Sequence, residues 1–440
     1  MRYTPNSGDV VTSMLHSIGL SRPEELFSDI PDEIKLNRPL ELQPGMSELA
    51  LRRELKKLAD LNADGQNYPC FLGAGCYDHY IPAAVEQLSA RAEFYTAYTP
   101  YQPEISQGIL QSIFEYQSLI CRLTGMDVAN ASVYDGGSAL GEACKMAWEQ
   151  SKRRRIILPP TLNPDYAEIA TTYSIVNEMK MYLLPDNGSG VIDLKALEAA
   201  ADDSTAAVVV QYPNFFGHLE DIAAIEKIAH RGKGLLIMVV DPIALACLKT
   251  PGAWGADIAV GDGQPLGNPM SFGGPHLGFM AVTNKLMRKV PGRLVGQTTD
   301  HQGRRAFVLT LQAREQHIRR EKANSNICSN QALNALTAAM YMAMVGPEGL
   351  AAVARRSHEM AVYAAGAMRK AGLKLRYDQP FFREFAVEVN EPGTVNQYLL
   401  QNGIIGGYEL NGALLFAFTE KRTKAEIDEL VDLLGGVANA

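Results

Sequence analysis

No Cys-x-x-Cys pair occurs in the 440 residues, and the six cysteines (Cys70, Cys76, Cys121, Cys144, Cys247 and Cys328) stand without a histidine at ligand spacing. That scatter argues against both a disulfide framework and a zinc site. The cysteines are expected to be small buried hydrophobes, with Cys70 and Cys76, which bracket FLGAG, as the two that could react. Long apolar runs are missing as well. The longest aliphatic block, LLIMVV at 235–240, falls far short of the roughly 20 residues that cross a bilayer. The opening MRYTPNSGDVVTSMLH lacks a signal-peptide core, so a cytoplasmic location is expected. Positive charge is not in excess: 41 basic against 49 acidic residues leave a net charge of -8, a mildly acidic balance that argues against a nucleic-acid partner. What remains, 47% apolar and 20% charged, is the composition of a folded chain long enough for more than one domain.

Residues 1–65 are polar, helix-prone and punctuated by Pro23, Pro31, Pro39 and Pro44, and ELALRRELKKLADL carries leucines at helical spacing. They predict an arm that packs on something else. From 66 to 318 short apolar runs alternate with amphipathic stretches. RIILPP, AAVVVQYPN, LLIMVVD, GADIAVGDG and LGFMAVTN read as strands, and GILQSIFEYQSLICRLTG, SALGEACKMAWEQSKRR and DIAAIEKIAHRGKG as helices. Continuous apolar strands point to a mostly parallel sheet covered by helices on both faces. Residues 319–440 predict a smaller α+β domain: a long helix over ANSNICSNQALNALTAAMYMAMV, strands REFAVEV and ALLFAFT, and a closing helix KAEIDELVDLLGG.

In such a sheet, ligands sit beyond the carboxyl ends of the strands. Three segments reach that edge. Asp135, Gly136, Gly137 and Ser138 open a helix, where free amides can hold an anion, although a helix cap made by Asp135 or Ser138 is the commoner role. LLIMVV delivers Asp241, which could hold a protonated ring nitrogen or simply satisfy loop amides before Pro242. Third comes DGQPLGNPMSFGGPHLGF, a turn-rich loop at 262–279 in which backbone could approach an anion. Their order matches the fold-type I pyridoxal phosphate enzymes, yet the loop contains no lysine to hold the cofactor aldehyde, and Lys249 and Lys285 belong to other elements. A lysine folding in from afar, as in a self-sufficient aminotransferase, or a pseudo-site are the two ways out.

EFYTAYTPYQPE at 93–104 gathers Tyr95, Tyr98, Tyr101 and Glu104 around two prolines, a stiff turn fit either to line an active site or to anchor a protein contact. AREQHIRREKANSN alternates Arg314, Arg319, Arg320 and Lys322 with Glu315 and Glu321 and predicts a mixed-sign helix start that forms ion pairs. His276 is better placed for chemistry than His317, and neither has a second ligand at metal spacing.

The strings FLGAGCYDHYIPAAV, YTPYQPEISQGILQ, NASVYDGGSALGEA, YPNFFGHLED, SFGGPHLGF and TLQAREQHIRREKANSNICSNQAL resemble the first subunit of the split P-protein of the glycine cleavage system, from about Tyr68 to the closing helix. In that family a second, related subunit carries the pyridoxal phosphate lysine. The resemblance puts Gln264 at the lysine's place and implies that this chain holds no cofactor covalently, with Asp135, Gly136, Gly137, Ser138 and Asp241 left as a vestigial pocket. It further implies glycine as substrate, transfer of the aminomethyl group to the lipoyl arm of the H-protein, and two copies of each subunit. An active site at the subunit contact would receive Tyr95, Tyr98, Tyr101 and Glu104 from this chain, unless the chain is a pure scaffold.

Overall fold

The computed structural model describes residues 6–327 and 329–438, so Cys328 lies outside the described residues. Two compact units divide the chain, 1–62 and 63–440. The first holds the helices Asp9–Ser17 and Glu48–Ala59. Leu15 is the one large hydrophobic among its described residues that is buried, while Leu49, Leu51, Leu55 and Leu58 are 61%, 46%, 54% and 54% exposed. The leucines at helical spacing thus form a helix with no core of its own.

In the second unit a seven-stranded sheet has the order β1-β7-β6-β5-β4-β2-β3. Its strands are β1 (Val128–Ala129), β2 (Arg155–Leu158), β3 (Lys180–Leu183), β4 (Thr205–Tyr212), β5 (Leu235–Val240), β6 (Ile258–Asp262) and β7 (Gly278–Val282). β7 pairs antiparallel with both β6 and β1, and the other pairings are parallel. Val208, Val209, Ile237, Met238, Ala259 and Val260 are at most 1% exposed, because alternate residues enter two separate helix-covered cores. That burial is why the strands read as unbroken apolar runs. A hairpin, β8 (Leu294–Thr299) and β9 (Arg305–Thr310), lies on the helix Gln107–Thr124, where Gln117 bonds both the amide and the carbonyl of Val295.

β10 (Glu384–Glu388), β12 (Ala413–Ala417) and β11 (Tyr408–Leu410) form a three-stranded antiparallel sheet in that order. The expected long helix begins later than its sequence suggested and runs further, over Ala332–Lys370. Residues 323–327 and 329–331 form loops, and Gly346 bends the chain at φ 62° without ending the helix, because Pro347 then stands where a second helical segment starts and needs no amide partner. Before the bend Ala335, Ala338 and Tyr341 enter the large core, and after it Met360, Ala364 and Met368 enter the core under β10 and β12. This helix is long and apolar enough to cross a membrane by length and composition, yet those faces are spent on protein cores. The run 312–322 folds as single turns rather than a helix start. Arg314 in it is buried and donates to the Gly292 carbonyl at 2.6 Å instead of forming an ion pair.

Candidate functional site

The carboxyl ends of β4, β5 and β6 converge on a pocket whose wall includes Tyr77, Tyr166, Asp241, Asp262, Arg383 and Glu384, and no lysine lines it. Beside it begins the helix Gly136–Ser151. Asp135 caps this helix, its Oδ1 accepting from the Ser138 amide at 2.7 Å, so the capping role prevails. The Gly136 amide donates to Asp262 Oδ2 at 3.2 Å. Two amides that would greet an anion are therefore taken by the chain's own carboxylates. The glycines answer to packing: a Cβ on Gly136 would stand 2.3 Å from the Tyr166 hydroxyl, and one on Gly137 2.4 Å from Ile169 Cδ1. Both partners come from the helix Pro164–Val176, laid against the helix start.

Asp241 serves two partners. Its Oδ1 accepts from the Ile243 amide at 2.9 Å, as loop chemistry predicts, and its Oδ2 forms an ion pair with Arg383 Nη2 at 2.7 Å. Arg383 is 1% exposed, lies 3.7 Å over the Tyr77 ring, and donates Nη1 to His79 Nε2. A guanidinium can only donate, so His79 accepts at Nε2 and carries its proton on Nδ1, which reaches Glu420 Oε2 at 2.6 Å. Next in sequence, Glu384 accepts from the Ala74 amide at 2.6 Å and the Tyr77 hydroxyl at 2.9 Å. Burial pushes its carboxyl up to about 7, against the pull of those hydrogen bonds.

Gln264, 1% exposed, spends its whole amide on backbone. Its Oε1 accepts from the Tyr77 amide at 3.0 Å, and its Nε2 donates to the carbonyls of Tyr77 at 3.1 Å and Asn268 at 2.8 Å. The side chain at the expected lysine position is thus a clamp between the strap 73–77 and the turn after β6. Pyridoxal phosphate needs an amine for its aldehyde, free donors for its phosphate and a free carboxylate under its ring nitrogen. Here the amine is replaced by a bonded amide, the donors face Asp135 and Asp262, and Asp241 is neutralised by Arg383. The residues do not fit the cofactor.

A second, wider groove of about 540 Å³ is lined by Tyr95, Tyr98, Pro100, Tyr116, Arg293 and Asn330, among others. Tyr98 is 88% exposed and bonds Ser329 Oγ at 2.8 Å. Tyr101 stands edge-on to His317 at 5.3 Å, outside the groove wall, and Glu104 is exposed and also outside it. The structure therefore brings Tyr95 and Tyr98 together and leaves Tyr101 and Glu104 on the rim side of the same loop. Sequence reasoning missed Arg383, Tyr166, His79 and Glu420; the available signal was a charged residue at the head of the apolar strand REFAVEV. Of the five described cysteines, Cys70 and Cys144 meet the buried expectation, Cys76 and Cys121 are half-buried, and Cys247, which follows the turn Ala244–Ala246, is exposed.

The profile of the glycine cleavage system P-protein matches residues 1–434. A probable glycine dehydrogenase (decarboxylating) subunit 1 from Syntrophomonas wolfei subsp. wolfei is 61% identical over 436 residues, 99% of each chain. A solved glycine decarboxylase (P-protein) of the glycine cleavage system, in inhibitor-bound form, superposes with a TM-score of 0.92 at 42% identity, over 99% of this chain and 100% of that one. An aspartate aminotransferase from Thermus thermophilus, 14% identical with a TM-score of 0.59 over 84% of this chain and 99% of its own, shares the fold alone, that of the fold-type I pyridoxal phosphate enzymes. Sequence, fold and the altered sheet edge agree that the chain belongs to the glycine cleavage system P-protein family.

Proposed function

We propose that this chain is the subunit without the cofactor lysine in a two-subunit glycine dehydrogenase (decarboxylating). The second subunit holds pyridoxal phosphate, which supplies the electron sink for decarboxylation of glycine. This chain contributes surface: the loop 93–104 excludes water and positions phenols where the two subunits meet, and the aminomethyl product passes to the lipoyl arm of the H-protein. The assembly contains two copies of each subunit and works in the cytoplasm. The observation that carries the proposal is Gln264, whose amide oxygen and nitrogen are both committed to Tyr77 and Asn268. Among the described residues no lysine lines this sheet edge, so the chain takes its cofactor chemistry from a partner.

The experiment is reconstitution. The purified chain with pyridoxal phosphate is expected to show no borohydride-reducible absorption band and no release of carbon dioxide from glycine, and adding the second subunit restores both. Turnover by the chain alone would sink the proposal.

A further inference from the structure

Cys76 and His276 have no part in the clamp or in the proposed subunit contact, yet they meet. Cys76 Sγ lies 3.6 Å from His276 Nε2, and His276 Nδ1 lies 3.4 Å from Asp262 Oδ2. Thiol, imidazole and carboxylate follow one another in the order of a nucleophile, its base and the group that orients the base. The base is held at several points. Asn334 Nδ2 donates to the carbonyls of both Pro275 and His276 at 2.8 Å, and Asp262 is itself fixed by the amides of Gly136 and Gln264. Asp262 first, then Cys76, raises the imidazole to about 10, so it carries charge at neutral pH. The His276 side chain is 17% exposed and Cys76 is half-buried, which leaves the pair open to small molecules. Burial pushes the thiols of Cys121 up to about 11 and of Cys144 up to about 12.

We propose that Cys76, His276 and Asp262 form a modification site at which the Cys76 thiol reacts with hydroperoxides and soft carbon electrophiles. With a hydroperoxide, the thiol proton passes to solvent water, from which His276 later regains its own, and the sulfur lone pair bonds the terminal oxygen as the O–O bond breaks. The departing hydroxide or alkoxide takes the proton from the imidazolium. Sulfur is oxidised to the sulfenic acid, and the peroxide is reduced to water or an alcohol.

The test measures alkylation of the full-length chain by iodoacetamide, thiol by thiol, with peptide mass spectrometry, and repeats it with dimedone after a pulse of hydrogen peroxide. Cys247 is the internal control, being more exposed and in contact with the Ala351 carbonyl at 3.8 Å rather than with an imidazole. Cys76 is expected to react about tenfold faster than Cys247 at neutral pH and to carry the dimedone adduct. His276→Gln is expected to slow Cys76 about tenfold while leaving the Cys247 rate unchanged, which also certifies the fold. Equal rates at Cys76 and Cys247 in the wild-type chain would overturn the proposal without recourse to any variant. So would a Cys76 rate that His276→Gln leaves untouched.

Discussion

At the scale of single residues, the buried pair Arg383–Asp241 is the decisive feature of the sheet edge. Arg383→Met keeps the volume of the side chain but strands the Asp241 carboxylate, and it is expected to lower stability in urea unfolding by about 3–5 kcal/mol. Adding Asp241→Asn removes the stranded charge and is expected to recover most of that loss; a double variant no better than the single one would show that Asp241 does not oppose Arg383. Glu384 makes a pH prediction. Its folded pKa of about 7 stands above the ordinary carboxylate value because it is buried. Below about pH 4 the group is protonated in both folded and unfolded chains and costs nothing in charge. As pH rises from there to 7, the unfolded chain ionises first, so this residue takes stability away, and the loss levels off above 7. Glu384→Gln is therefore expected to flatten the fall in melting temperature over that window, with an amide able to keep both the Ala74 and Tyr77 contacts.

At the scale of elements, Gly346 in the helix Ala332–Lys370 has φ 62° and ψ -179°, a backbone region open essentially to glycine alone. Nothing lies within 4 Å of an added Cβ there, so Gly346→Ala is expected to cost about 1–3 kcal/mol through backbone strain alone, read as a drop in melting temperature. The loop 93–104 supplies a contrasting case. Tyr101→Phe combined with Glu104→Ala, both on exposed side chains, should leave melting unchanged but reduce glycine decarboxylation in the reconstituted complex; unchanged turnover with intact assembly would make the loop a scaffold. The elements also show what the sequence could disclose. β4 to β7 were legible because strands buried on both faces must be apolar throughout, a local property. The helix Pro164–Val176 escaped notice because its apolar and polar residues are not segregated to one stripe, and β8 and β9 because GQTTDHQGRR between their apolar ends reads as loop. In the site, Asp135 and Asp241 were legible as residues at a helix start and a strand end, and Gln264 only through the family resemblance. Arg383 was not, since its partner His79 lies 304 residues away and only the folded chain joins them.

At the scale of the whole molecule, the unit 1–62 exposes its leucines and the unit 63–440 holds the substantial cores. Leu55→Glu together with Leu58→Glu, at positions each 54% exposed, is expected to change the stability of the isolated chain by no more than about 0.5 kcal/mol. In sedimentation with the second subunit the same variant should dissociate at lower dilution, because these side chains need an apolar surface supplied from outside the unit. The arginine on Asp241 also limits which side chains this sheet edge can accept. Installing an amine by Gln264→Lys would bury a second cation behind Arg383 and break three backbone bonds, while removing Arg383 first would orphan a carboxylate. Each single change that would put an amine at this sheet edge therefore passes through a damaged protein.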